Sequence, residues 1–390
     1  MLTCKRAEFA LPADLHYLNC AYMSPLHGNV EAAGLAGVRR KLDPTNITAD
    51  DFFRDSDTAR DLFARLINAE SAARIAIIPA ASYGIATVCH NLQVSRPQNV
   101  VIAAEQFPAN VLGWQALCAR AGAELRVVER PEWGGGGGGR GGGEAREWNE
   151  RILEAIDAAT AVVSLGTIHW TDGTRWELES IGARAREVGA VFVLDGTQSV
   201  GALPLDVQRL RPDALICAGY KWLLGPYGLG CAYYGPRFDH GQPLEETWTA
   251  RVGSDDFRAL VEYRDAYRPG AVRYDVGERS SFHLTPMLVA ALELLLEWRP
   301  ERIQAYCADL ISPLVEAAVG LGYTLAAQAW RAAHLFGLRA PPGTDLERVR
   351  SALERRRVIV SLRGNAVRVA PHVYNDAGDV AALIDALTDA

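Results

Sequence analysis

Two ionisable residues each follow an apolar run near the middle of the chain. Asp195 comes directly after the run 190–194, and Lys221 follows the run 213–218. Such runs predict buried strands, and ligands of a parallel sheet bind at the carboxyl ends of its strands. A lysine there can form a Schiff base with an aldehyde, and an acid there can hold a pyridine nitrogen protonated. Together they predict pyridoxal 5′-phosphate, although a surface lysine and an acid capping a helix explain these two residues equally well.

The elements that must position this pair alternate along the chain. Short apolar runs predict strands at 74–78, 100–103, 124–128, 160–165, 190–194 and 213–218. Helical spacing separates them, at 61–69, 85–92, 110–121, 147–158 and 178–188. This alternation predicts an α/β fold with a parallel, doubly wound sheet. After about residue 283 two long amphipathic helices and a mixed set of short elements predict a small α+β domain.

The domain boundaries follow from these changes of pattern. We assign 1–15 to an N-terminal arm, 16–282 to a large domain and 283–390 to a small C-terminal domain. The glycine run 134–143 predicts a flexible loop inside the large domain, because glycine loses the most backbone entropy on folding. It is not expected to bind phosphate, since neither a strand directly before it nor a helix directly after it is evident.

Two consecutive motifs resemble a known family. DGTQSVGALPLDV at 195–207, followed by AGYKWLLGPYGLG at 218–230, is similar to the signature region of the class V aminotransferases, which are fold-type I pyridoxal-phosphate enzymes. The similarity extends from YLNCAYMSP at 17–25 to RVAPHVYN at 368–375. The resemblance implies a large domain with a mostly parallel, seven-stranded sheet flanked by helices, and a small α+β domain.

The resemblance also implies roles for individual residues in holding the cofactor ring. Asp195 matches the acid that binds the pyridine nitrogen, and Gln198 matches the donor to the phenolic oxygen. Lys221 matches the Schiff-base lysine, whose freed amine then serves as general base and acid. Phe107 matches the residue that stacks on the ring, as in kynureninases, where desulfurases usually have histidine. Trp170 is expected to direct its indole N–H to the site, with His169 and Thr171 as weaker candidates.

The phosphate is expected at the turn 79–84. Ala81 and Ser82 would donate backbone N–H groups at the start of a helix, although Ser82 could also simply cap that helix. Tyr220 resembles a kynureninase tyrosine that binds phosphate. Ser280 and Ser281 match a segment that reaches the phosphate of a partner subunit, which implies a homodimer with shared active sites.

The substrate is expected to bind through its carboxylate. Arg368 matches the small-domain arginine that holds an α-carboxylate, and an unpaired arginine on an otherwise apolar strand is costly without such a ligand. Asn19 and Tyr22 lie where the family's N-terminal segment lines the substrate pocket.

The cofactor leaves several reactions open: transamination, C–S cleavage, kynureninase-like hydrolysis of a C–C bond, and racemisation. Desulfurases carry a cysteine shortly before the carboxylate-binding arginine, but no cysteine lies between Val358 and Arg368. We therefore expect a class V aminotransferase acting on an α-amino acid. The alternatives are a C–S or C–C lyase that forms no persulfide on a cysteine, and a non-catalytic protein that keeps the fold.

Composition narrows the function classes further. The 390 residues carry a net charge of −7, which favours neither nucleic acid nor an anionic membrane as partner, and the basic run 355–357 fits a solvated helix face. No apolar run is long enough to span a membrane, and the first residues lack the apolar core of a secretory signal. The seven cysteines show no C-x-x-C spacing, which predicts neither a disulfide framework nor a metal site and fits the cytoplasm.

Overall fold

The computed structural model describes residues 2–131 and 143–389. The predicted glycine loop 134–143 lies outside these ranges except for Gly143, which begins a helix. The described α-helices are α1 (Gly28–Arg40), α2 (Arg54–Leu66), α3 (Ala81–His90), α4 (Leu112–Ala121), α5 (Gly143–Ala155), α6 (Leu178–Glu187), α7 (Val207–Leu210), α8 (Leu284–Trp298), α9 (Pro300–Gly320), α10 (Leu346–Arg355) and α11 (Ala377–Thr388). The described strands are β1 (His16–Tyr17), β2 (Ile75–Ile78), β3 (Asn99–Ala103), β4 (Glu124–Val128), β5 (Thr160–Gly166), β6 (Val191–Asp195), β7 (Ala214–Ala218), β8 (Gly230–Tyr234), β9 (Phe336–Arg339), β10 (Val358–Ile359), β11 (Ser361–Arg363) and β12 (Ala366–Val369).

Seven strands form the central sheet in the order β2-β8-β7-β6-β5-β3-β4. Its strands pair in parallel except β8, which runs antiparallel to both β2 and β7. The predicted mostly parallel, seven-stranded sheet is confirmed. Gly166 of β5 pairs with Asp195 of β6, which pairs with Ile216 of β7, so the carboxyl ends of three strands lie side by side.

Apolar side chains cover both faces of this sheet. One face packs the fully buried Trp148, Trp222 and Trp298, and the opposite face packs Trp114 and Tyr234. Completely burying one large apolar side chain contributes roughly 1.5–3 kcal/mol. The two-sided core explains why these strands are almost continuously apolar, as is typical of parallel sheets.

A buried charge cluster joins β2 to the segment that precedes α8. Asp275, which is fully buried, accepts hydrogen bonds from Arg60 (2.9 Å), Arg279 (2.6 Å) and the Ile77 backbone N–H (2.8 Å). Arg60 and Arg279 are also buried. One carboxylate therefore balances two buried guanidinium groups, so that removing it leaves both without this countercharge.

The C-terminal residues build a second, smaller sheet in the order β11-β12-β9, with α9, α10 and α11 around it. Arg363 and Arg368 lie on the antiparallel hairpin β11–β12, where Ser361 pairs with Arg368 and Arg363 with Ala366. Helix α8, which follows the boundary predicted at residue 282, packs against α1 and α2 rather than against this sheet. The position of that boundary stays a prediction.

Residues 16–24, which we call the N-terminal strap, connect the two parts of the molecule. β1 pairs in parallel with β10, and Cys20 N–H donates to the Ala370 carbonyl (3.1 Å). At its other end Ser24 N–H donates to the Tyr220 carbonyl (3.0 Å). The strap therefore runs from β10, past the end of β12, to the residue directly before Lys221.

Some local structure differs from the sequence prediction. Helix α1 is absent from the predicted elements because Gly34 and Gly37 weaken its helical signal. The structure needs both glycines, since a Cβ at Gly34 would lie 2.6 Å from the Met287 sulfur and one at Gly37 2.1 Å from the Phe282 carbonyl oxygen. Helix α3 begins at Ala81, so residues 81–84 of the turn expected over 79–84 are helical, and two residues separate the start of the helix from the end of β2. Within the short elements expected after residue 283, residues 358–363 form two separate strands, β10 and β11.

Candidate active site

The carboxyl ends of β5, β6 and β7 and the first turn of α3 surround a cavity of about 260 Å³. Its lining contains eight of the predicted site residues: Ala81, Ser82, Phe107, Trp170, Asp195, Gln198, Tyr220 and Lys221. Asn19, Tyr22, Ser280, Ser281 and Arg368 do not line it. The cavity thus collects the residues expected to hold a cofactor, while those expected to bind substrate or a partner's cofactor lie outside.

Lys221 is 5% exposed and follows β7 by a tight turn. Gly219 permits this turn, because a Cβ there would lie 2.4 Å from the Leu229 carbonyl oxygen. Burial lowers the pKa of Lys221 to about 8, Asp195 opposes that shift, and the positive charge of Arg368 adds to it. Within residues 2–131 and 143–389, no carboxylate lies within 4 Å of its ammonium nitrogen. A substantial fraction of this amine is therefore neutral, and nucleophilic, near physiological pH.

Asp195 is the last residue of β6. Burial raises the pKa of its carboxyl group, whereas hydrogen bonds from Thr197 lower it; one comes from the Thr197 backbone N–H (2.9 Å). No basic side chain forms an ion pair with Asp195 in the described part of the chain. A cationic ligand N–H would supply the missing positive charge and favour the carboxylate.

Gln198 has a fixed orientation at the edge of the cavity. Trp222 Nε1, which can only donate, lies 2.9 Å from Gln198 Oε1 and so identifies that atom as the oxygen. Gln198 Nε2 donates to the Ala21 carbonyl (3.1 Å), which leaves its second N–H for a ligand. The predicted donor function of Gln198 is compatible with these contacts.

The first turn of α3 is open to an anion. Ala80 occupies the position before the helix, and its methyl side chain cannot accept a hydrogen bond from the first N–H groups of the helix. Tyr83 and Gly84 N–H groups bond to the Ala80 carbonyl, whereas Ala81 and Ser82 N–H have no backbone acceptor in the described structure. Free N–H groups at the positive end of a helix suit a phosphate dianion. Ser82 is not the residue that caps this helix.

The rings of Phe107 and Tyr220 both lie close to the amine of Lys221. Their centroids lie 5.1 and 5.5 Å from Lys221 Nζ, which is within range for a cation–π contact. Phe107 is 41% exposed, so one face remains free to stack on a planar ligand. Burial raises the pKa of the Tyr220 hydroxyl, which keeps it protonated as a hydrogen-bond donor.

Trp170 stands edge-on to Phe107, with ring centroids 5.5 Å apart. Its indole N–H donates to the Glu105 carbonyl (2.6 Å), and the expected contact of this N–H with the cofactor stays a prediction. Glu105, which accepts this bond, has a positive φ of 55°. Trp170 therefore shapes the cavity with its ring, while its N–H is bonded within the protein.

His169 and Thr171 support the cavity wall. His169 is buried, which lowers its pKa to about 4, and its Nδ1 lies 2.7 Å from Thr171 Oγ1 and 3.1 Å from Arg130. Its Nε2 lies 3.2 Å from the Ala104 carbonyl. Both ring nitrogens are thus used within the protein, which indicates a structural function.

Arg368 is 1% exposed and lies beyond Trp170. It donates to the Trp170 carbonyl (3.0 Å), to Ser361 Oγ (3.2 Å) and weakly to Asn19 Oδ1 (3.5 Å), while its Nε has no partner. Burial lowers its pKa to about 10, and no carboxylate lies within 4 Å in the described ranges. A buried cation with a free N–H is prepared for an anionic ligand.

The predicted residues Tyr22, Ser280 and Ser281 lie away from the cavity. Tyr22 is 61% exposed and lies outside the cavity. Ser280 Oγ donates to the Phe52 carbonyl, and Ser281 Oγ accepts from the Leu284 N–H (3.4 Å). Neither serine touches the cavity of its own chain.

Several lining or supporting residues were absent from the prediction. Thr197 joins β6 to β7, because its hydroxyl accepts from the Ala218 N–H (3.1 Å) while its N–H holds Asp195. Trp222 holds Gln198, and the Tyr227 ring packs 4.7 Å from that of Tyr220. All three residues lie within the two motifs quoted above, so their positions in sequence were a usable signal.

Among the described residues no group of three or more His, Cys, Asp or Glu side chains could hold a metal ion. No described helix is long and apolar enough to cross a membrane.

Comparisons with known proteins agree with this geometry. A family model described as aminotransferase class-V matches residues 46–368. A cysteine desulfurase of Enterobacter sp. (strain 638) is 30% identical over 203 residues, covering 51% of this chain and 46% of the relative, so the match spans about half of that protein. An uncharacterized aminotransferase of Bacillus subtilis (strain 168) is 26% identical over 85% of this chain and 82% of its own. Isopenicillin N epimerase of Streptomyces clavuligerus is 24% identical over 84% and 83%.

Solved structures give the same fold. The cysteine desulfurase CsdA of Escherichia coli superposes with a TM-score of 0.81 at 19% identity, covering 98% of this chain and 96% of its own. The cystine C–S lyase C-DES, in complex with cysteine persulfide, has a TM-score of 0.81 at 20% identity over 97% and 98%.

Proposed function

The chain belongs to the class V aminotransferase family, and from this premise we propose that it is a pyridoxal 5′-phosphate-dependent enzyme acting on an α-amino acid through Lys221. The observation that carries the proposal is the buried Lys221 in a cavity bordered by Asp195 and the uncapped start of α3. Lys221 can bind an aldehyde, Asp195 a pyridine nitrogen and the start of α3 a phosphate, and these three groups occur together in this cofactor.

The residues present fit the cofactor. Ala81 and Ser82 N–H groups would hold the phosphate, Asp195 the pyridine nitrogen and Gln198 the phenolic oxygen, while Phe107 would cover the ring. When bound, pyridoxal phosphate supplies an electron sink for the bonds at the substrate α-carbon. The orphan N–H groups of α3 and the unpaired charge of Asp195 both support this assignment.

Lys221 would hold and move the proton at the substrate α-carbon. Burial has already lowered its pKa to about 8, so it can accept a proton near neutral pH and return it. Arg368 would bind the α-carboxylate and thereby orient the α-carbon toward Lys221. Ser361 and Asn19 hydrogen-bond to the guanidinium group and to each other, which fixes its plane.

We propose transamination as the reaction, with C–S bond cleavage as the second candidate. A persulfide-forming desulfurase is disfavoured, because the β11–β12 hairpin turns tightly at Gly364 and contains no cysteine. Cys20 is buried, and its pKa is raised to about 12 by burial, so it is not a thiolate acceptor. The epimerase, aminotransferase and desulfurase relatives leave racemisation and C–C cleavage to be tested together with these reactions.

We further propose a cytoplasmic homodimer. Ser280 and Ser281 lie outside their own cavity, in agreement with a contribution to the phosphate of a partner subunit. The seven cysteines are all free, which agrees with a reducing compartment. Cross-linking and sedimentation would establish the dimer, and Ser281→Ala in one subunit type of a mixed dimer should weaken cofactor binding by the other.

The chain offers a sharp test of the Lys221 assignment, because it has three lysines: Lys5, Lys41 and Lys221. Borohydride reduction of the protein loaded with pyridoxal phosphate, followed by peptide mapping, should find the pyridoxyl group on Lys221. Lys221→Ala should lose this label and Lys41→Ala should retain it. Labelling only at Lys5 or Lys41, or no visible absorbance on loading, would refute the proposal and leave a non-catalytic protein of this fold.

The reaction itself is assigned by products. The loaded protein is incubated with single amino acids, with and without a keto-acid acceptor. A keto acid formed only with the acceptor supports transamination, whereas pyruvate with ammonia and a sulfur product supports C–S cleavage. Alanine released from kynurenine would indicate hydrolysis of a C–C bond. A change of chirality without any other product would indicate racemisation.

A further inference from the structure

Two arginines of the small domain border the same indole ring. The guanidinium carbons of Arg363 and Arg368 lie 5.3 and 5.8 Å from the centroid of Trp170. Trp170 itself lines the cavity that contains Lys221. The site therefore has a second cation near its entrance besides the one expected to bind the α-carboxylate.

The hairpin geometry places both guanidinium groups on one face. Ser361 pairs directly with Arg368, and Arg363 lies two residues after Ser361 on the same strand. Directly paired residues and residues two apart share a face, so Arg363 and Arg368 are diagonal neighbours, roughly 7–8 Å apart at their Cα atoms. Two long side chains at this spacing can each bind a separate carboxylate of one small molecule.

Among the described residues neither Arg363 nor Arg368 has a counterion. No carboxylate lies within 4 Å of either in residues 2–131 and 143–389, and each has a buried Nε without a hydrogen-bond partner. Arg363 donates one bond, to the carbonyl of the adjacent Leu362 (2.9 Å). Buried cationic N–H groups without partners are costly, which indicates that the site is built to receive anionic groups.

The ligand groups proposed so far leave Arg363 without a group to bind. Asp195 is assigned to the cofactor, and one α-carboxylate accounts for Arg368. Building on the proposed function, we propose that Arg363 forms a second anion-binding subsite, and that the preferred substrate is an α-amino acid whose side chain ends in a carboxylate. Arg363 would determine specificity by binding the distal carboxylate while Trp170 covers the apolar part of the side chain.

Matched acid and amide pairs test this subsite, because the two members differ in charge but hardly in shape. The probes are L-glutamate with L-glutamine, L-aspartate with L-asparagine, and S-carboxymethyl-L-cysteine with S-carbamoylmethyl-L-cysteine. Each is titrated into the cofactor-loaded enzyme, Kd is taken from the absorbance change, and kcat and KM are measured separately. At least one acid should bind about ten- to a hundredfold more tightly than its amide, with the difference in KM rather than kcat.

In Arg363→Gln the acid-to-amide preference should fall toward one, and Arg363→Lys should restore part of it. Arg350→Gln, on the exposed face of α10, should retain the wild-type preference. If Arg363→Gln weakens acid and amide equally, both arginines bind the α-carboxylate and the inference is overturned. It is also overturned if wild type prefers no acid while neutral amino acids change the absorbance, a result that preserves the proposed function. If no amino acid of any kind changes the absorbance, the proposed function itself fails.

Discussion

Replacing Lys221 with methionine is expected to make the cofactor-free protein more stable at neutral pH. The side chain is almost completely buried and its nitrogen makes no hydrogen bond or ion pair to the described residues. Methionine keeps the length of the chain and removes the buried charge. The replacement therefore isolates the free energy that burial of an amine costs the fold.

The magnitude follows from the two pKa values of this amine. It titrates near 10.5 in the unfolded chain and at about 8 in the folded protein. At pH 7 this difference destabilises wild type by about 3 kcal/mol, a value that already includes the attraction of Asp195, so the variant is expected to gain about 3 kcal/mol. The folded state binds fewer protons, so the unfolding free energy of wild type rises from about pH 8 to 10.5. The advantage of the variant should shrink to about 2 kcal/mol at pH 9 and nearly vanish at pH 11.

Thermal and urea unfolding at several pH values measure this difference. Lys41→Met, at an exposed position, is the matched control and should follow wild type throughout. A Lys221→Met protein that is less stable than wild type at pH 7, or a difference independent of pH, would refute the reasoning. Agreement would indicate that the fold retains Lys221 for chemistry and at a cost in stability.

Two other replacements test the supports of the site and the core. Trp222→Phe should leave the buried Gln198 oxygen without a donor, which lowers the unfolding free energy by roughly 1–3 kcal/mol. It should also shift the absorbance of the bound cofactor. An unchanged spectrum would show that the indole N–H does not orient Gln198. Asp275→Asn should cost roughly 3–5 kcal/mol, because two buried arginines lose their shared carboxylate, and wild-type unfolding in urea would contradict this account.

The sequence was most informative where a local pattern determines position. Continuous apolar runs located six of the seven strands of the central sheet and missed β8. The rule that ligands bind at strand ends brought Asp195 and Lys221 to one cavity. The two motifs around them identified the family that the comparison over residues 46–368 then established. These features depend on residues close together in the chain.

The missed features depend on contacts between distant segments. Helix α1 contains two glycines that weaken its pattern, and only its packing against α8 and the two residues before α8 explains them. The Trp170 indole N–H is directed by the Glu105 carbonyl, 65 residues away. Arg363 gains its importance from Trp170 and from the register of a hairpin, neither of which is visible in its neighbours. Specificity is therefore harder to predict than the cofactor, because it arises where segments meet.

The N-terminal strap has a mechanical consequence. Its start belongs to the small domain through β1 and β10, and its end is bonded to the carbonyl of Tyr220, beside Lys221. Between them Asn19 contacts Arg368, and the Ala21 carbonyl accepts from Gln198. The residues that contact Arg368 and Gln198 belong to one continuous stretch of nine residues, 16–24, which is also bonded beside Lys221. A displacement of β10 relative to β7 would therefore act on all of these contacts together.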